Sequence, residues 1–225
     1  MSEHTHIYKP FDAELRALKD QLLAMGGLVE AHIADAMKAL VERDPSRAQK
    51  VMEGDRAVNA MELAIDEQCI RILALRQPAA SDLRFIAASL KIVTDLERIG
   101  DLAVNMAQRA IALAGEPPLR AVVDLPRMAT AAQKMLREAL DAFVTHDAEK
   151  AESVITQDDL IDGWLVQVFD EIRAEMQRDP SVINRGIATI FFAKHIERVA
   201  DHATNVAEMV VYLVRGQDVR HRWAR

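Results

Sequence analysis

The side chains in this sequence best able to do chemistry are oxygen donors spaced four apart, and the set occurs twice. Leu96-Glu97-Arg98-Ile99-Gly100-Asp101, with Asn105 one turn on, is matched by Ile196-Glu197-Arg198-Val199-Ala200-Asp201 with Asn205. On an α-helix, residues four apart share a face, so Glu97, Asp101 and Asn105 form one ladder and Glu197, Asp201 and Asn205 another. Like charges at that spacing repel by roughly 0.2–0.5 kcal/mol on a bare surface. A repeated acidic pair is therefore tolerated in solvent, neutralised by arginine, or used to hold a cation. Hard cations such as Mg²⁺, Ca²⁺ and Mn²⁺ prefer carboxylate and amide oxygens, and iron or zinc can share such a site where histidine or water completes the shell. His202, His32 and His195 are candidates for that role only if the helix register turns them inward.

The elements that must position these groups are helices. Half of the 225 residues are apolar, aromatics make up only 4%, and the 8 Gly and 7 Pro fall at intervals, which argues against many short strands. Asp44-Pro45 and Asp179-Pro180 place a capping carboxylate before a proline at the first helical position. Asp147, Pro78 and Asp124-Leu125-Pro126 are further starts, and Gly115 followed by Glu116-Pro117-Pro118 is a stop with a short rigid linker. The spacing predicts six helices, at about 10–43, 45–76, 79–114, 125–145, 148–177 and 180–214. Apolar residues follow the helical period within them, as at Leu15, Leu18, Leu22 and Met25. Cys69 sits in such an apolar series, so it reads as a packing residue, and disulfides and thiolate metal ligation are excluded.

An internal repeat organises these helices. A shift of 103 lays Ala39-Leu40-Val41-Glu42-Arg43-Asp44 over Ala142-Phe143-Val144-Thr145-His146-Asp147 and Asp55 over Asp158; after a contraction in the second half, a shift of 100 superposes the acidic motifs. The expected fold is all-α, two tandem, pseudo-symmetric three-helix bundles over 1–115 and 119–215 with a basic tail at 216–225. In an antiparallel hairpin, residues equidistant from the turn face each other. The motif centred on 99 then faces Asp55 and Asn59, and the motif centred on 199 faces Asp158 and Asp162. Each half brings four oxygen-bearing side chains together. Two readings stay open: a cation site in at least one half, or a solvated acidic face paired with Arg98, Arg198, Lys194 and Arg56.

Other functions are excluded or left without support. The net charge of −7 and the lack of a basic block interleaved with aromatics argue against nucleic acid. The longest uncharged stretch, Gln21 to Val29, is far shorter than the roughly twenty residues of a membrane span, and Met1-Ser2-Glu3-His4 does not read as a signal peptide, which predicts a cytoplasmic protein without membrane insertion. Glu-x-x-His is not repeated on two helices as in the di-iron proteins, and there is no His-Glu-x-x-His, no Walker loop and no Gly-x-Ser-x-Gly elbow, so no enzyme is expected. Neither a glycine-rich anion nest nor an arginine cluster can be read from the sequence, and phosphate is expected to be sensed only through partners.

Three motifs in order carry a resemblance: Arg76-Gln77-Pro78-Ala79-Ala80-Ser81-Asp82-Leu83-Arg84, then Asp95 to Asp101, then His195 to Asn205. With the opening His6-Ile7-Tyr8-Lys9-Pro10-Phe11-Asp12, the chain resembles the PhoU family of phosphate-transport accessory proteins along nearly its whole length. That resemblance implies two symmetric three-helix bundles with multinuclear metal sites on Glu97/Asp101 and Glu197/Asp201, the metal being Mg, Mn, Fe or Zn. It implies a negative regulator of the phosphate-starvation (Pho) regulon that links the ATPase subunit of a phosphate ABC transporter to a sensor histidine kinase. A homodimer, recruited peripherally to the inner membrane by those partners, is the implied assembly. Asn59 stands where the second half has Asp162, so the first site has one fewer negative ligand and should bind less tightly.

Overall fold

A computed structural model describes residues 9–120, 124–217 and Val219. His6 to Tyr8 of the opening motif, the first four residues and the basic tail from Arg220 lie outside the described residues. The first half contains α1 (Lys9–Glu42), α2 (Pro45–Arg76) and α3 (Ala80–Ala114). The second contains α4 (Leu125–Thr145), α5 (Ala148–Ile155), α6 (Asp158–Arg178), a 3₁₀ turn (Pro180–Val182) and α7 (Ile183–Arg215). No strand occurs among the described residues, and no helix among them is long and apolar enough to cross a membrane.

The capping residues act as their types require. Asp44 accepts from the amides of Ser46 and Arg47, Asp124 from that of Arg127, and Asp147 from that of Lys150. Arg43 and Asp44 make the same corner as His146 and Asp147. The residue before each cap is left-handed, with φ of 54° and 53°, and the cap amides reach Ala39 O at 2.9 Å and Ala142 O at 3.0 Å. The shift of 103 read from the sequence is thus a repetition of backbone geometry.

The fifth of the six expected rods, 148–177, is divided at Thr156 and Gln157. Local side chains capture the carbonyls there: Thr156 Oγ1 donates to Ser153 O at 2.9 Å, and Gln157 Nε2 to the same oxygen at 3.1 Å and to Glu138 on α4 at 3.0 Å. The Gln157 amide makes a tight i→i−3 bond to Val154 O. Ser and Thr compete with the helical ladder in this way, and the pattern of apolar residues on either side gives no sign of it. Asp158 thereby opens α6 instead of lying in mid-helix.

Helices α1 and α2 pack on α3, α4 to α6 pack on α7, and α3 and α7 pack on each other. The two central helices are antiparallel, since Asp95 meets His202 and Arg109 lies over Phe191. The bundles are also joined through α1 and α4. A Cβ on Gly26 would stand 2.3 Å from Leu140 Cδ1, Lys19 Nζ donates to Val144 O, and Gln133 Nε2 donates to Glu30 O. One continuous core results, in which Leu18, Leu22 and Met25 lose all accessible surface. Leu15 lies at its margin. Cys69 is fully buried, and burial pushes its thiol up to about 12, so it packs and does not react.

Candidate functional site

Helices α2 and α3 approach closely at the first acidic motif. A Cβ on Gly100 would stand 3.0 Å from Val58 Cγ1 and 3.4 Å from Asp55 Oδ1, which puts Asp55 directly against the motif helix. Asn59 Nδ2 donates to Asp55 Oδ2 at 3.0 Å, while Asp55 Oδ1 is buried with no partner. On the facing helix Arg98 lies 3.4 Å from Glu97 Oε2 and 3.4 Å from Asp101 Oδ2. Burial raises the Glu97 carboxyl above its usual range; Asp101 adds to this, Arg98 opposes it, and Glu62 and Asp55 raise it further.

Glu62 and Asp66 therefore belong to the first face, and the sequence reading did not find them. Burial raises Glu62 first and Asp66 next. The signal was present, because 55, 59, 62 and 66 share one helix face. The second half does not repeat it, since the shift of 103 puts Leu165 and Phe169 in those places.

In the second half, Asp158 and Asp162 on α6 face Glu197 and Asp201 on α7. Burial, then Asp201, Asp162 and Glu197, push the Asp158 carboxyl up to about 7. Glu197 is only 7% exposed; Lys194 Nζ reaches its Oε1 at 2.5 Å and its Oε2 is buried without a partner. Burial raises both Glu197 and Asp201, with Lys194 opposing in each case. Both expected sets of four are thus brought together, each with one cationic side chain, Arg98 or Lys194, already leaning on it.

The less certain residues divide. His202 Nδ1 and Asn205 Nδ2 both turn to Asp95 on α3, so they serve the joint between the halves. Asn105 is half-buried one turn beyond Asp101. His32 is buried beside Asp55 in the space that Gly54 leaves: a Cβ there would stand 2.8 Å from its Nε2. Burial holds His32 below its usual value, and Asp55 and Asp35 oppose the shift. His195 is pushed down to about 4 by burial, with Arg109 and Arg198 adding to it.

These residues fit a hard cation by two criteria. The donors are almost all carboxylate oxygens, as such ions prefer. Asp55 Oδ1, Asp158 Oδ1 and Glu197 Oε2 are buried oxygens without a hydrogen-bond donor, a costly condition that a cation or a proton relieves. Among the described residues, however, no three His, Cys, Asp or Glu side chains are drawn into a finished coordination set.

The two halves match known proteins as they match each other. A family model described as the PhoU domain fits the chain twice, at residues 22–110 and 125–210. The chain belongs to the PhoU family. A phosphate-specific transport system accessory protein PhoU homolog of Pseudomonas aeruginosa is 49% identical over 218 residues, covering 96% of this chain and 90% of that protein. The phosphate-specific transport system accessory protein PhoU of Escherichia coli is 37% identical, with coverage of 96% and 90%. The crystal structure of PhoU from Pseudomonas aeruginosa is similar with a TM-score of 0.88 at 48% identity, covering 92% of this chain and 100% of that one. That of the phosphate transport system regulatory protein PhoU from Streptococcus pneumoniae gives 0.87 at 34% identity, covering 93% and 99%. The α3–α7 packing that joins the halves is therefore a joint between two PhoU domains.

Proposed function

We propose that this chain is an accessory regulator of phosphate transport and a negative regulator of the phosphate-starvation regulon, a helical adaptor that binds metal and catalyses nothing. Two PhoU domains in one continuous core, shared with phosphate-transport accessory proteins over nearly their whole length, carry the reading. Its partners on this reading are the ATPase subunit of the phosphate ABC transporter and the sensor histidine kinase of the phosphate two-component system. It works as a homodimer in the cytoplasm, recruited to the inner membrane by those partners. Deleting the gene should derepress phosphate-scavenging genes at high phosphate; unchanged expression would refute the regulatory role.

Asp55, Asn59, Glu97 and Asp101 would hold metal in the first half, with Glu62 and Asp66 at hand, and Asp158, Asp162, Glu197 and Asp201 in the second. A bound cation would supply positive charge where burial otherwise forces these carboxylates toward protonation. The chain's part is to desolvate the oxygens and hold two helices at one spacing, so that site occupancy is coupled to the α2–α3 and α6–α7 seams. The alternative reading is a metal-free scaffold, favoured by the Arg98 and Lys194 ion pairs. Elemental analysis of protein purified without chelator, beside Asp101→Ala and Asp201→Ala, separates the two. Metal in the parent that falls in each variant supports the sites, and equal, negligible metal in all three leaves the scaffold.

A further inference from the structure

The α6–α7 turn and the linker build a polar cavity apart from the acidic faces. It encloses about 300 Å³ and is lined by Arg120, Arg178 and Arg185, with Glu175, Asp179 and the linker prolines Pro117 and Pro118. Arg185 also lines a neighbouring cavity of about 170 Å³ that takes in Arg43. Three arginines line this cavity and Arg43 lines the adjoining one, in a chain of net charge −7. No sequence window contains them together, which is why the sequence shows no arginine cluster.

The carboxylates in the cavity are already engaged with backbone. Glu175, 4% exposed, accepts from the Arg120 amide at 2.8 Å. Asp179 accepts from the Ser181 amide at 3.0 Å as the cap of the 3₁₀ turn; Ser181 holds its carboxyl low, with Arg185 and Arg120 adding to this. Arg178 Nε donates to Ala174 O, and Arg185 Nε is buried without a partner.

The first half shows what this corner looks like when its arginine is satisfied. Arg76-Gln77-Pro78 matches Arg178-Asp179-Pro180, and Arg76 is gripped by both oxygens of Glu14, at 2.8 and 2.9 Å. Glu14 belongs to the early turns of α1, and the second half has no helical counterpart for them, because α4 begins only at Leu125. At this corner of the second half the linker prolines Pro117 and Pro118 form the wall, and Arg178 donates to a backbone carbonyl instead of to a carboxylate. The fork of a guanidinium that fits a carboxylate also fits a phosphate.

We propose that this cavity binds a small tetrahedral oxyanion of the inorganic phosphate class, with Arg178 and Arg185 as its main donors and Arg120 at the rim. Arg178 and Arg120 are exposed, so the affinity is on the order of millimolar and falls with salt. The site stands independently of the metal reading, and it revises the expectation that phosphate is sensed only through partners.

The test is titration of the full chain with inorganic phosphate at matched ionic strength, read by calorimetry and thermal shift. EDTA is kept present so that no ion on the acidic faces recruits the phosphate. Saturable binding is expected, about tenfold weaker in Arg178→Ala and in Arg185→Ala. Pro117→Glu, which places a carboxylate in the wall of the cavity, should abolish binding while the fold melts no lower than the parent. Sulfate competing with phosphate supports the oxyanion assignment. Absence of saturable binding by the folded parent, equal binding by all three variants, or binding of phosphoserine but not of phosphate would overturn it.

Discussion

Nδ1 of His202 stands 2.8 Å from Oδ1 of Asp95, and Asn205 Nδ2 donates to the same oxygen from 3.1 Å. This cluster ties the two central helices, and so the two PhoU domains, together. Both His202 and Asp95 side chains are mostly buried, at 17% and 16% exposure. Asp95→Ala should cost about 1–3 kcal/mol in urea unfolding, because it leaves His202 and Asn205 without their acceptor. A double-mutant cycle with His202→Ala should show a coupling of about 0.5–3 kcal/mol. Metal content should not change in either variant; a loss of metal in His202→Ala would return that histidine to the ligand set.

The same cluster shows what the sequence could and could not reveal. Helix starts at Asp44, Asp147 and Asp179 were legible because capping is local chemistry, and facing Asp55 with Glu97 needed only a turn position and a helical rise. Asp95 and His202 are 107 residues apart on different helices, and only the packing of α3 on α7 brings them together. The break at Thr156 was missed because Ser153, Thr156 and Gln157 are ordinary surface residues of a helix until their side chains turn to the backbone. Glu62 was missed because one half of the repeat does not contain it.

Phe143 on α4 stacks on Phe85 of α3 with ring centres 5.4 Å apart, and Phe143 is fully buried. The second domain thus places one of its two fully buried phenylalanines against the first domain's motif-bearing helix. Phe143→Ala should destabilise the whole chain by about 3–5 kcal/mol. The domains should still unfold in one transition, seen alike by calorimetry and circular dichroism. Two resolved transitions would show that the shared core does not couple them.

Asn59 donates to Asp55, a bond its counterpart Asp162 cannot supply to Asp158 as a carboxylate. Asn59→Asp should therefore have opposite effects with and without metal. In chelator-treated protein the lost donor and added like charge should cost about 0.5–1 kcal/mol. With Mn²⁺ the extra carboxylate should tighten the first site and offset that loss through binding linkage. Thermal unfolding across a Mn²⁺ titration decides it: a constant deficit at every concentration would rule out a ligand role for position 59.

Asp158 gives the clearest dependence on pH. Its carboxyl titrates at about 7 in the fold and at 3.8 when free of these surroundings, because burial and the charges of Asp201, Asp162 and Glu197 disfavour ionisation. A carboxyl raised in this way supports the fold while protonated. Its contribution is complete below the unfolded value and is lost as pH rises through the folded one. Metal-free protein should therefore lose stability from this group between about pH 4 and pH 7. Asp158→Asn keeps the neutral shape, so at about pH 8 with chelator it should be more stable than the parent by roughly 1–2 kcal/mol, a value discounted for partial solvent screening. At about pH 4 the two should be nearly equal. Saturating Mn²⁺ at about pH 8 should reverse the order, since only the carboxylate gains from the cation, and binding should release protons on the way. Equal pH slopes for parent and Asp158→Asn would show that Asp158 is not the group that titrates.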